Sequence, residues 1–121
     1  MPVYVYHQEI PGKEVLEGVT LKILGASERM SVVHWDIEDG VVVPRHGHPS
    51  EQFGYVIKGG FDMDIGGDTA ILREGDSYFI PANVPHKFRA VGATEAIDVF
   101  SPKRDVTGNY QAASAEAAKE V

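Results

Sequence analysis

The chain of 121 residues contains no cysteine. This absence excludes a disulfide framework and any thiolate metal site, so only His, Gln, Asp and Glu side chains remain as metal ligands. No stretch approaches the ~20 consecutive apolar residues of a membrane span. The first residues, MPVYVYHQEIPGKE, lack the charged and apolar regions of a secretion signal. We therefore expect a cytoplasmic protein without a membrane partner.

Positive charge is also scarce. The formal net charge is −7 at pH 7, and no run of Lys or Arg forms a basic stripe. Binding to a phosphate backbone requires many cationic contacts, so we expect no nucleic-acid partner. Hydrophobic residues make up 43% of the chain and charged residues 24%, as is ordinary for a globular protein. A chain of this length forms one domain with its own core.

What the chain does contain is a series of short β-prone segments separated by Gly, Pro and Asp. Turn signals that recur every 8–12 residues or so are typical of a β-sandwich or a closed barrel. The pair Gly66-Gly67 fits a two-residue hairpin turn, because both positions tolerate positive φ. The predicted strands are Val3–His7, Val19–Leu24, Met30–Ile37, Val41–His46, Gln52–Lys58, Phe61–Ile65, Ala70–Arg73, Ser77–Ile80, His86–Ala90 and Thr94–Phe100.

In two of these strands an apolar stripe faces away from the predicted interior. Two such stripes on so small a chain predict a covered surface, and we expect a homodimer. The alternative is that the N-terminal strand or the C-terminal tail covers them. The stripe residues are Phe53, Tyr55, Ile57, Ile97 and Val99.

The most informative stretch is GVVVPRHGHPSEQFGYVIKG, residues 40–59. His46 and His48 are two residues apart, so on a strand both imidazoles project from the same face. Gln52 lies four residues further on, and His86 follows a second turn. Three neutral imidazoles and one amide oxygen would hold a divalent transition metal ion and leave positions open for a ligand. Burying these imidazoles without a partner would be costly, which favours a bound metal.

The spacing Gly40-x5-His46-x-His48-x3-Gln52-x6-Gly59 resembles the first motif of the cupin superfamily. The segment GDSYFIPANVPH, residues 75–86, resembles the second motif, and the resemblance covers about residues 30–100. It implies an all-β fold, the single-domain double-stranded β-helix or jelly-roll barrel. Within one domain of residues 1–121, we expect a metal-binding barrel at about 19–104 and a helix-prone, alanine-rich tail at about 109–121.

Two positions depart from the family pattern. Gln52 stands where an acidic ligand is usual, and its neighbour Glu51, the alternative ligand, should point to the opposite face by strand parity. Asn83 stands where Gly is common, and Asn is the next best residue for a left-handed turn. Outside the motifs, we expect His7 and His34 to be ordinary hydrogen-bonded polar residues.

A ligand set of three His and one Gln carries no negative charge. A divalent ion in this set keeps its full charge and is a stronger Lewis acid than one bound by a carboxylate. Higher oxidation states are stabilised less well, which favours isomerisation or elimination over oxygen activation. The sequence does not distinguish among Ni, Mn, Fe, Co and Zn.

The segments HPSEQFGYVIKGGFDMDIGG and IDVFSPKRD resemble the small cupins of pectin and alginate breakdown, which ring-open 4,5-unsaturated uronates to the linear keto form. This resemblance implies that Asp98 transfers a proton, that Arg104 pairs with the substrate carboxylate, and that Phe100 lines the pocket. Alternatively, Asp98 accepts an imidazole N–H and Arg104 is a surface charge. The implied metal ligands are His46, His48, Gln52 and His86.

The same scaffold serves other functions. One alternative is a metal-dependent dioxygenase or lyase acting on a small organic acid. The other is a non-catalytic domain that binds a small molecule.

Overall fold

A computed structural model of the chain describes residues 3–104. Their strands form two antiparallel sheets that pack face to face. The strands are β1 (Lys13–Leu16), β2 (Val19–Ala26), β3 (Ser31–Ile37), β4 (Val42–His46), β5 (Glu51–Lys58), β6 (Gly60–Ile65), β7 (Asp68–Arg73), β8 (Ser77–Ile80), β9 (His86–Ala90) and β10 (Thr94–Ser101). A 3₁₀ turn at His7–Glu9 precedes them. This architecture confirms the predicted all-β jelly-roll class.

The six-stranded sheet has the order β1-β2-β3-β10-β5-β8, and the four-stranded sheet has the order β4-β9-β6-β7. Most neighbours in each sheet are distant in sequence, and the strands of the two predicted motifs are hydrogen-bonded neighbours: β4 pairs with β9, and β5 pairs with β8. No helix in the described part of the chain is long and apolar enough to cross a membrane.

Nine of the ten predicted strands are present, with bounds that shift by no more than two residues. The strand predicted at Val3–His7 is wrong, because residues 3–6 are irregular and His7 begins the 3₁₀ turn. Strand β1 is absent from the sequence prediction. Val15 is its only fully buried residue, so its four residues show no alternation of buried and exposed positions. The tail predicted at 109–121 lies outside the described residues.

Strand alternation separates the interior from the outer faces. In β5, Gln52, Gly54 and Val56 are buried and the residues between them are exposed. Phe53 is 58% exposed and Tyr55 is 50% exposed, so the predicted outward stripe on this strand is confirmed. In β10 the same alternation buries Asp98 and Phe100 and leaves Ile97 and Val99 half-buried on the outside.

An apolar core fills much of the space between the sheets. Phe61 and Phe88 pack edge to face with ring centroids 5.1 Å apart, and Trp35 and Val56 are buried with them. The Gly66-Gly67 turn between β6 and β7 has φ values of 59° and 91°, as predicted for a hairpin that requires positive φ.

Candidate metal centre

Three histidines converge between the two sheets. His46 ends β4 and His86 begins β9, and these cross-strand partners have ring centroids 4.3 Å apart. His48 lies in the loop that follows β4, with its ring centroid 5.0 Å from that of His86 and 5.9 Å from that of His46. One ring nitrogen from each histidine lies within 4.8 Å of the other two. The structure therefore brings together all three histidines of the two motifs.

A tight turn fixes the His48 loop against the segment that precedes His86. Asn83 has a φ of 64°, in the left-handed region that Asn tolerates better than most residues, as predicted. Its backbone N–H donates a hydrogen bond of 2.8 Å to the carbonyl oxygen of His48. The two motifs are thus joined through backbone atoms at the point where their imidazoles meet.

Each of the three imidazoles is oriented by a backbone carbonyl group. The distance from Nδ1 to the carbonyl oxygen is 2.8 Å for His46, 2.9 Å for His48 and 2.9 Å for His86. Because a carbonyl oxygen only accepts, each Nδ1 carries the proton and each Nε2 carries a lone pair. The carbonyl groups belong to Pro44, Ser50 and Val84.

Gln52 adds an amide oxygen to this set. Gln52 is buried, and its Oε1 atom lies 3.1 Å from Nε2 of His48. This contact is a hydrogen bond when Nε2 carries the proton; with the proton on Nδ1, both atoms present lone pairs that a cation can bind. Among the described residues, the buried Nε2 of His86 also has no hydrogen-bond partner. The donors fit a divalent transition metal ion, whereas Glu51 is exposed on the opposite face.

Burial keeps these imidazoles neutral. It is the largest cause of a pKa of about 3 for His46 and about 4 for His48, and it also lowers the pKa of His86. The charge of Arg104 contributes to the lowering of all three pKa values, while the hydrogen bonds to the carbonyl groups act in the opposite direction. Since a metal ion binds neutral imidazole, the cluster can bind one at pH 7 without first losing a proton.

Asp98 lies next to Gln52 and is 2% exposed. Its Oδ1 accepts a hydrogen bond of 2.6 Å from the Tyr78 hydroxyl, and its Oδ2 accepts one of 2.7 Å from the Trp35 indole N–H. The Gln52 side-chain amide donates a third hydrogen bond to this carboxyl group. Burial raises the pKa of Asp98, and these donors oppose the shift. The alternative in which Asp98 accepts an imidazole N–H does not match the metal-centre rings, whose protonated nitrogens face backbone carbonyls.

Phe100 and Arg104 border the same cluster. The Phe100 ring is buried, with its centroid 5.6 Å from that of the His48 ring. The guanidinium carbon of Arg104 lies 5.5 Å from the Phe100 ring centroid, in a cation–π contact. The backbone N–H of Arg104 donates to the Ser31 hydroxyl at 3.1 Å. Arg104 is half-buried beside the imidazoles and is not the isolated surface charge of the alternative.

Two residues of this site, Trp35 and Tyr78, are absent from the sequence prediction. The alternation of β8 places Tyr78 on the same buried face as Ile80, and that of β3 places Trp35 on the face of Val33. An aromatic residue that points inward must find a partner for its polar tip. That requirement is a usable signal, but the partner, Asp98, is distant in sequence from both residues.

A second histidine cluster lies on the outer side of the six-stranded sheet. Nε2 of His34 is 2.6 Å from Oε1 of Glu95, and its Nδ1 is 3.8 Å from Oδ2 of Asp36. His34 is buried beneath the 3₁₀ turn, where the His7 ring meets it edge-on at 4.7 Å. The contact with Glu95 agrees with the prediction that His34 is an ordinary hydrogen-bonded residue. Below, His46, His48, Gln52 and His86 are the inner cluster, and His34, Asp36 and Glu95 are the outer cluster.

The sequence model of the cupin domain (Cupin_2) matches residues 33–100. The chain is also 32% identical over 103 residues to the pectin degradation protein KdgF of Dickeya dadantii, an alignment that covers 84% of this chain and 94% of that protein.

Solved structures show the same likeness. The structure of KdgF from a Halomonas species superposes with a TM-score of 0.82 at 28% identity, covering 87% of this chain and 97% of that one. An RmlC-like cupin from Shewanella frigidimarina superposes with a TM-score of 0.83 at 26% identity, covering 87% of this chain and 95% of that one. Both alignments extend over nearly the whole described fold.

Proposed function

This chain belongs to the cupin family, and from that premise we propose that it ring-opens 4,5-unsaturated uronates to the linear keto form with the help of a bound metal ion. The observation that carries the proposal is the convergence of one ring nitrogen from each of three buried histidines and one amide oxygen beside Asp98 and Arg104. Similarity to two KdgF proteins, one of them named for pectin degradation, supports uronates as the substrate class.

The inner cluster would hold the metal ion through Nε2 of the three histidines and Oε1 of Gln52. Nitrogen and neutral oxygen donors without a thiolate suit Ni, Mn, Fe, Co or Zn. When bound, a divalent ion in this uncharged set supplies Lewis acidity toward substrate oxygens. The proposed role of the four protein ligands is to fix that charge at one end of the barrel.

Asp98, Arg104 and Phe100 would handle the substrate. Ring opening removes the proton of the anomeric hydroxyl, breaks the bond between the anomeric carbon and the ring oxygen, and adds a proton to the enol carbon. Asp98 is the buried carboxyl group at the cluster and would carry this proton from oxygen to carbon. Arg104 would bind the substrate carboxylate through two parallel N–H donors. Phe100 would form a wall of the pocket.

The test is an assay of the metal-loaded chain with 4,5-unsaturated galacturonate, which follows loss of the conjugated ultraviolet chromophore. Asp98→Asn, measured with excess metal, should lower kcat by about 10²-fold or more. Arg104→Ala should lower kcat/KM by roughly 10-fold to 100-fold, mainly through KM. Lys103→Ala is the matched control, because Lys103 is an exposed neighbouring cation paired only loosely with Glu28 at 3.7 Å. It should act like wild type.

The same assay separates the alternatives. An equal rate of chromophore loss with and without the protein would contradict the uronate proposal. Oxygen consumption with a small organic acid would favour the dioxygenase, and tight binding without turnover would favour the non-catalytic domain.

We also propose that the outer face of the six-stranded sheet binds a second copy of the chain. Phe53 and Phe79 stack on this face with ring centroids 4.8 Å apart and are 58% and 40% exposed. Together with Tyr55 and Ile57 they form a continuous apolar surface that a symmetric dimer would bury. Sedimentation should give twice the chain mass of 13.2 kDa.

The dimer proposal has a matched pair of variants. Changing Phe53 and Phe79 together to Ser should give a monomer. Ile71→Ser removes a side chain that is 67% exposed on the other sheet and should leave the dimer intact. A monomeric wild type, or a dimer in the Phe53/Phe79 variant, would contradict the proposal.

A further inference from the structure

The side-chain amide of Gln52 has two ends of nearly equal size, and only one of them can bind a metal ion. The oxygen end accepts and carries lone pairs, whereas the NH₂ end donates. In the structure Oε1 faces Nε2 of His48 at 3.1 Å, and the NH₂ end donates to Asp98. A flip of this amide would turn two hydrogens toward the imidazoles and remove one ligand from the inner cluster. The orientation of Gln52 therefore decides whether the cluster has four donors or three.

Asp98 selects that orientation. Both oxygens of Asp98 already act as acceptors, Oδ1 toward the Tyr78 hydroxyl and Oδ2 toward the Trp35 indole N–H, so the carboxyl group accepts the NH₂ end of Gln52 and repels its oxygen end. The carboxylate can do this only while its own plane is held. Tyr78 donates to Oδ1 at 2.6 Å and Trp35 donates to Oδ2 at 2.7 Å, so each oxygen is fixed by one short hydrogen bond. Both donors are buried, which protects these bonds from exchange with water.

Tyr78 reaches Asp98 across an intervening strand, and Gly54 makes this reach possible. The register pairs Tyr78 on β8 with Gly54 on β5, and Gly54 with Asp98 on β10. A Cβ atom at Gly54 would lie 1.9 Å from Cζ of the Tyr78 ring, so the ring occupies the space that any other side chain would fill. The chain thus leaves a gap in the inner face of β5 through which the hydroxyl contacts the carboxylate.

We propose that Tyr78 and Trp35 are positioning residues of the metal centre: they fix the Asp98 carboxylate, which in turn holds the Gln52 amide with its oxygen toward the three imidazoles. The inference rests on the proposed metal centre but not on the identity of the substrate. Neither residue contacts the metal directly in this account. Their effect on metal binding passes through Gln52, and this is what separates a positioning role from a general contribution to the core.

A double-mutant cycle with cobalt(II) alone tests the proposal. Cobalt is titrated into the chelator-treated, full-length chain, and affinity is read from its visible absorption. Tyr78→Phe removes one hydroxyl and should weaken cobalt binding about tenfold, the scale of a lost group that orients a ligand. Tyr55→Phe removes the same atom from a half-exposed residue of the outer face and should change nothing. In a Gln52→Ala background, Tyr78→Phe should have no further effect beyond about twofold.

Trp35→Phe removes the second donor and should give the same pattern, which keeps the test decisive if Tyr78→Phe folds poorly. Circular dichroism reports folding of each variant. Wild-type affinity in both single variants, or an equal loss of affinity with and without Gln52, would overturn the positioning role. A wild-type chain that binds no cobalt would overturn it together with the metal centre. Since no substrate is present, a failed uronate assay leaves this result unaffected, and the two failures are distinguishable.

Discussion

The inner and outer clusters both gather histidine with other potential ligands, yet their surroundings differ. In the inner cluster, backbone carbonyl groups take the Nδ1 protons, and three bare Nε2 atoms meet a neutral amide oxygen. In the outer cluster, a single imidazole lies between two carboxylates, and one of its nitrogens is already bonded to Glu95 at 2.6 Å. The first arrangement aims several uncharged lone pairs at one point. In the second, Glu95 already binds one ring nitrogen, although the buried Nδ1 of His34 has no hydrogen-bond partner among the described residues.

This contrast is the reason that we propose a metal centre at the inner cluster and not at the outer one. Backbone hydrogen bonds fix the tautomer and aim the lone pairs, and burial keeps the rings neutral so that no proton competes. In the outer cluster the side chain of Asp36 is 57% exposed, so water can solvate it without a metal ion. We therefore expect the two clusters to respond differently to the same substitution.

The largest expected effect is on metal binding. His48→Ala removes a proposed direct ligand and should weaken metal binding by more than about 100-fold. Loss of a group that only orients a ligand weakens metal binding by about 10-fold to 100-fold. His34→Ala removes the histidine of the outer cluster and should leave one metal ion per chain. Metal content after dialysis, measured by mass spectrometry, checks both variants. Loss of metal from the His34 variant with retention in the His48 variant would reverse the assignment.

Metal removal should lower the melting temperature only of chains in which the inner cluster is intact. An ion at a free concentration of 100 times its Kd stabilises the folded state by about 2.7 kcal/mol, which corresponds to a Tm shift of roughly 10 °C for a chain of this size. Addition of a chelator to the loaded wild type and to His34→Ala should lower Tm by this amount. For His48→Ala the Tm should not change, and a chelator effect in that variant would place the ion elsewhere.

Acid should destabilise the metal-free fold through the inner cluster. Its imidazoles have folded-state pKa values of about 3 for His46 and about 4 for His48, below the ordinary value of 6.5. The unfolded chain therefore binds more protons, so the stability is complete above pH 6.5 and is lost progressively as the pH falls toward 4. Melting curves between pH 7 and about 4.5 measure the decline. His48→Gln removes one of these imidazoles and should show a shallower decline; an unchanged slope would argue against buried neutral rings.

The smallest expected effect concerns the outer cluster. Asp36→Asn changes an exposed side chain, and its 3.8 Å separation from His34 is too long for a hydrogen bond. Stability should change by no more than about 0.5 kcal/mol, and metal content should not change at all. A loss of one bound ion in this variant, seen by the same mass spectrometry, would show that the outer cluster also holds metal.

The strands and the inward-facing ligands followed from local pattern. We expected His46 and His48 to share a face of one strand, but His48 lies in the loop that follows β4, so strand parity does not place it. Gln52 alternates with exposed neighbours on β5, and Asn83 takes the left-handed turn that its side chain tolerates. These features depend only on neighbours in sequence. The strand wrongly predicted at residues 3–7 has the same β-prone pattern, yet Val3 is 87% exposed. Propensity alone does not create a strand without packing against the rest of the sheet.

The contacts around Asp98 did not follow from local pattern. Trp35 and Tyr78 lie 63 and 20 residues away from it in sequence and meet it only through the order β3-β10-β5-β8. The need for glycine at position 54 likewise could not be predicted, because it depends on the Tyr78 ring of the neighbouring strand lying over that position. Sequence predicted which residues point inward, and the sheet order decided which of them touch.

Anomalous diffraction from crystals of the metal-loaded wild-type chain tests the central claim most directly. We expect one strong peak per chain, about 2.0–2.2 Å from Nε2 of His46, His48 and His86 and at a similar distance from Oε1 of Gln52. A peak at the outer cluster with none between the three histidines, or no peak in fully loaded crystals, would contradict it.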